Sequence, residues 1–146
     1  MGLVNNQKAY DKYLIWQEGC GNIVVNGHII GYTFQVRMPN FRGNYLSCVE
    51  QLVFTLDGKE IPGESIEVLL NSKRFRIADF PSLFMEYWDV NDCAVIEVVK
   101  EGGLSGRHAI GAAMKLRYGY SAYFGACKVV TSQCMKTFEF SGRESA

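Results

Sequence analysis

From Tyr32 to Met38 the chain alternates strictly. Tyr32, Phe34, Val36 and Met38 fall on one side, and Thr33, Gln35 and Arg37 on the other. A period of two marks a strand with one buried face. Pro39 ends it, because proline brings no amide hydrogen to a ladder. Residues 49–56 repeat the pattern with Leu52, Phe54 and Leu56 on one face. Residues 107–118 do so at greater length, with Ile110, Ala112, Met114, Leu116 and Tyr118 together. Residues 94–99 are almost continuously apolar, which predicts a central strand covered on both faces. Residues 66–70 and 75–77 read as further strands, 59–62 as a short edge segment, and 129–130 and 136–140 as two edge strands. Asn26-Gly27, Asp57-Gly58 and Asn71-Ser72 stand between apolar runs as turns. Asn-Gly and Asp-Gly tolerate the positive φ of tight hairpins. Phe80, Leu83, Phe84, Tyr87 and Trp88 recur at helical spacing, with Pro81 near the start, so residues 80–88 are read as one short helix or a structured loop.

Short strands at regular spacing with Gly, Asn and Asp turns predict an all-β fold, an antiparallel β-sandwich. One domain is expected over residues 1–146, with residues 1–21 as an N-terminal arm and 125–146 as a C-terminal extension. The length suffices for a sizeable core. Lysine plus arginine equals aspartate plus glutamate at 15 each. That balance gives no electrostatic case for nucleic acid or an anionic membrane. No apolar run approaches the length of a bilayer span. Five cysteines, an odd number, include no Cys-x-x-Cys pair. Free thiols, a reducing compartment and a cytoplasmic location are expected.

The candidate chemistry is sparse. His28 and His108 stand alone in strand contexts, whereas a zinc centre needs about four convergent ligands; no metal site is expected in this chain. His108, at a strand start, reads first as a hydrogen-bonded strand-end residue. Gly102-Gly103-Leu104-Ser105-Gly106 lacks the Gly-Lys-Ser/Thr ending of a phosphate loop and opens no helix. The acids Glu60, Glu64, Glu67, Asp79, Glu86, Asp89 and Asp92 sit in no loop signature and read as scattered surface groups. The exception is Asn40-Phe41-Arg42-Gly43, directly after Pro39. It presents a ring and a fixed charge side by side, a combination that interfaces favour. Arg37, Asn40, Phe41, Arg42, Tyr87, Trp88 and His108 are therefore the candidates for a partner or substrate edge, and no residue is assigned a catalytic role.

Four segments in this order carry a resemblance: FQVRMPNFRGNYLSCVE, VFTLDGKEIPGESI, AVIEVVKEGGLSGRHAI and KLRYGY. Over roughly residues 31 to 121 the chain resembles the small β subunit of bacterial C-glycoside deglycosidases. Asn40 departs from the second aromatic residue expected in the loop, and the stretch after Tyr120 has no counterpart. The resemblance implies a β-sandwich that assembles with a larger α subunit. That subunit is similar to sugar-phosphate isomerase and epimerase barrels and carries a divalent metal, manganese being expected. It implies a lyase acting on 3-oxo-C-glycosides. A base removes the C2 proton, and the bond between the sugar and the aromatic aglycone breaks by elimination. Metal and base would belong to the α subunit. Two other classes compete. One is a stand-alone carbohydrate-binding or scaffolding sandwich using Tyr87 and Trp88; the other is a hydrolase with a hidden carboxylate pair.

Overall fold

The computed structural model describes residues 11–39, 42–118 and 128–141. Two antiparallel sheets enclose one core. The first contains β1 (Gly21–Val25), β2 (His28–Val36), β9 (Ala94–Val99), β6 (Ile66–Leu70) and β7 (Lys73–Phe75), in the order β1-β2-β9-β6-β7. The second runs β11 (Lys128–Ser141), β10 (Ser105–Tyr118), β4 (Val49–Leu56), β5 (Lys59–Glu60). A two-stranded ladder of β3 (Asn44–Tyr45) and β8 (Tyr87–Trp88) closes one corner. This is the all-β sandwich that the alternation predicts.

The alternating residues fill the space between the sheets. Tyr32, Phe34, Val36 and Met38 are buried, as are Ile110, Ala112, Met114, Leu116 and Tyr118. Phe34 of β2 meets Phe54 of β4 edge to face at 5.2 Å, and Tyr32 meets Phe140 of β11 at 6.2 Å. Such pairs add about 0.5–1.5 kcal/mol beyond area burial. Asn26 and Gly27 take φ of 51° and 78°, and Asp57 and Gly58 take 51° and 86°. These are the left-handed conformations a two-residue hairpin turn requires. Gly31 serves a different need. A Cβ there would lie 2.1 Å from the Val98 carbonyl oxygen, so β2 and β9 approach as they do only because residue 31 has none.

The described part of the arm packs on the sandwich. Ile15 bridges Val36, Trp16 donates its amide to the Gln35 carbonyl at 2.9 Å, and the Arg37 amide donates to Leu14 at 3.0 Å. Leu14 and Ile15 are buried.

Three expectations are corrected in detail, and of the helix or structured loop read at residues 80–88 the structured loop is what forms. Residues 80–88 form no α-helix: a 3₁₀ segment, Ile77–Ser82, gives way to β8. Phe80 and Trp88 point inward while Phe84 is exposed, so the helical stripe is never realised. The ladder to β3 takes the backbone instead. The strand read at 75–77 is Lys73–Phe75, and Ile77 already opens the 3₁₀ segment. β9 is central but fully covered on one face only. Ala94, Ile96 and Val98 are buried, whereas Val99 is exposed. Finally, the two edge strands read after residue 128 are one strand, β11, paired with β10 along its whole length.

Candidate functional site: an exposed aromatic and methionine corner

β3 and β8 pair so that Asn44 lies opposite Trp88, and Tyr45 opposite Tyr87. The pleat then sorts the four residues. Asn44 and Trp88 go inward and are buried. Asn44 donates to the Arg117 carbonyl at 2.9 Å and accepts the Tyr45 amide at 2.9 Å. Trp88 donates its indole N–H to the Asp92 carbonyl at 2.9 Å. Tyr45 and Tyr87 go outward and stack edge to face at 5.0 Å. Between Leu83 and Tyr87 the chain bulges, held by amides of Leu46 and Ser47 that donate to the Glu86 and Leu83 carbonyls. The bulge thrusts out Phe84 (68% exposed) and Met85 (88%). Tyr45, Phe84, Met85 and Tyr87 are thus four exposed apolar residues on the corner that the β3–β8 ladder and its bulge build. Rings and methionine are what interface centres enrich.

The rim of the corner is charged and braced. Lys73 reaches Glu86 at 2.6 Å, and Asn71 donates to the Tyr87 carbonyl at 3.0 Å. The Lys73 ammonium, hydrogen-bonded to Glu86, holds that carboxyl below the usual carboxylate range. Gly43 sits against the corner, where a Cβ would fall 2.3 Å from the Trp88 carbonyl oxygen and 2.9 Å from the Tyr87 ring. Arg42, exposed, precedes it. The described end of that loop, Arg42-Gly43, therefore borders Tyr87.

Each candidate from the sequence has a definite place. Gly43, next to Arg42, packs against Tyr87 at the corner. Trp88 does not join them at the surface, because its side chain is 0% exposed. A sugar platform built on Tyr87 and Trp88 is not formed. Arg37 stacks over the Trp16 ring at 4.6 Å and donates to the Val90 carbonyl at 3.3 Å, which ties the arm to the loop before β9. His108 lies apart, between Asp57 at 2.6 Å and the Ser105 carbonyl at 2.9 Å. Asn40 and Phe41 lie outside the described residues. Nothing in the sequence pattern marks Tyr45, Phe84 and Met85 as site residues. No local pattern separates an exposed ring from a buried one, and only the β3–β8 pairing does so.

Among the described residues, no three His, Cys, Asp or Glu side chains converge where a metal could be held. Cys20, Cys48, Cys93 and Cys134 are free thiols, and burial pushes the Cys20 and Cys93 thiols up from their ordinary value. No described helix is long and apolar enough to cross a membrane.

Fold and corner together define an antiparallel sandwich with a buried apolar core and an exposed corner of aromatic residues and methionine. The family model for the C-glycoside deglycosidase beta subunit matches residues 10–120, most of the chain. The chain belongs to that family. A C-glycoside deglycosidase beta subunit of Eubacterium cellulosolvens is 30% identical over 112 residues, covering 75% of this chain and 72% of the relative. One of Arthrobacter globiformis is 32% identical over 68 residues, covering 47% and 52%. β11 lies beyond the matched span, yet places Phe138 and Phe140 in the core.

Proposed function

We propose that this chain is the β subunit of a heteromeric C-glycoside deglycosidase and that it assembles with a barrel-type α subunit. The family match over residues 10–120 carries this reading. The complex is a lyase: a ketone at C3 of the sugar acidifies the C2 proton, a base takes that proton, and the C1–aryl bond breaks as the ring carbon is protonated. The base and the divalent metal, manganese being expected, belong to the α subunit. The β chain stabilises the barrel and shapes its mouth. Its contact runs through Tyr45, Phe84, Met85 and Tyr87, with Arg42 at the rim.

The test is co-purification of this chain with its α subunit, followed by assay on a 3-oxo-C-glycoside. Cleavage needs both chains, and the β chain alone is inactive. Met85→Glu buries a carboxylate in the contact and weakens assembly by about 2 kcal/mol, roughly thirtyfold in Kd. Arg42→Glu weakens it without unfolding the domain. A monomer that never associates with an α subunit, on gel filtration of the wild-type pair, overturns the reading. Wild-type assembly together with full assembly of Met85→Glu overturns only the placement of the contact.

A further inference from the structure

A turn and a strand start that lie far apart in the sequence meet in space. Asp57, in the β4–β5 turn, accepts the Ala109 amide on Oδ1 at 2.9 Å. Its Oδ2 lies 2.6 Å from Nδ1 of His108, and Nε2 of the same ring lies 2.9 Å from the Ser105 carbonyl oxygen. Carboxylate and carbonyl oxygens only accept hydrogen bonds. A neutral imidazole carries one N–H, so either tautomer turns a lone pair on an oxygen. Only the imidazolium donates to both. The ring is fixed between them by Phe140, edge to face at 6.1 Å.

We propose that His108 is carried as an imidazolium in the folded chain, clasping the β4–β5 turn to the first residues of β10, and that losing its proton unlatches the Ser105 side. The bond to the carboxylate is charge-assisted and is the one the neutral ring keeps. The Ser105 carbonyl is then left without its donor. Next to it, Leu104 is held to β1 by Asn22, which donates to its carbonyl at 3.0 Å and accepts its amide at 2.9 Å. The latch therefore acts on a single strand start and leaves the rest of the sheet in place.

The surrounding groups agree on the sign. Asp57 from the β4–β5 turn favours the charged ring, and the Ser105 carbonyl adds to it, against partial desolvation and the Lys100 ammonium at the end of β9. Tyr32 of β2 stays neutral, because burial and the Asp57 charge push its hydroxyl to about 12. On β11 the ladder partner is Phe138, which does not titrate, and Arg107 and Glu139 pair at the next ladder position. His108 is thus raised above its ordinary value of 6.5. A raised histidine contributes stability that is complete below the ordinary value and lost as pH rises through the folded value.

The chain labelled with ¹³C and ¹⁵N tests this by NMR titration. Only His28 and His108 need assigning. The expected result is that both His108 nitrogens carry imidazolium shifts at pH 6.5 and titrate with a midpoint above it. The Ser105 carbonyl and Gly106 amide shifts move at the same midpoint. Asp57→Asn lowers the midpoint. Should that variant fail to fold, the wild-type ring shifts decide alone. One protonated and one bare ring nitrogen at pH 6.5, or a Ser105 carbonyl indifferent to the titration, overturns the proposal.

Discussion

Replacing Trp88 by alanine separates two views of the chain's second tryptophan. In a sugar-binding module, loss of the ring removes affinity and spares the fold. In this sandwich the side chain is 0% exposed and its N–H is bonded to the Asp92 carbonyl at 2.9 Å. A buried aromatic side chain of this size removes on the order of 150–250 Å² from water. At about 25 cal/mol per Å² that is about 4–6 kcal/mol, of which alanine retains a small part. The cost of Trp88→Ala is therefore about 4 kcal/mol, within the range of large-to-small core changes. The orphaned Asp92 carbonyl adds little, since Asp92 is exposed and water replaces the donor. With a urea slope of about 2 kcal/mol per molar, the unfolding midpoint falls by about 2 M. Urea titrations followed by far-ultraviolet circular dichroism measure it. A midpoint within about 0.5 M of wild type at unchanged slope would refute the assignment of Trp88 to the core. Trp88→Phe, which keeps a ring but loses the N–H, falls between the two.

Further outcomes follow from the backbone and the charges. Gly31→Ala drives a Cβ against the Val98 carbonyl oxygen and costs at least about 2 kcal/mol, whereas Gly111→Ala meets only the Thr55 hydroxyl, which can rotate away, and costs under about 1 kcal/mol; paired urea midpoints show the difference. Ser72, at φ 61° in the β6–β7 turn, is an L-residue in left-handed space, so Ser72→Gly raises stability by about 0.5–1 kcal/mol in the same assay. Asp57 is held below the ordinary carboxylate range by the Ala109 amide and by His108. Its contribution is present above the ordinary value and is lost as pH falls through the depressed one. Asp57→Asn therefore flattens the acid limb of a stability-against-pH curve, and an unchanged limb counts against the pairing.

The residues themselves settled the long strands, the hairpin turns and the inward faces of those strands. Tyr32 to Met38 and Ile110 to Tyr118 alternate because a pleat turns successive side chains to opposite sides, and that rule is local. Asn26-Gly27 and Asp57-Gly58 mark their hairpins because left-handed φ values are costly for most other residues. The order and spacing of the family segments were legible for the same reason: they are a property of the chain.

The site was only half legible. Arg42 and its loop could be singled out by residue type. Which of Tyr87 and Trp88 is buried could not, because both fit a helical stripe equally well. The answer depends on pairing with β3, more than forty positions away. Only the folded chain brings Tyr45, Phe84, Met85 and Tyr87 to one corner, and Asp57 to His108 across 51 positions. Hydrogen bonds and burial at that separation are set by how the sheets close over each other, which no local periodicity encodes.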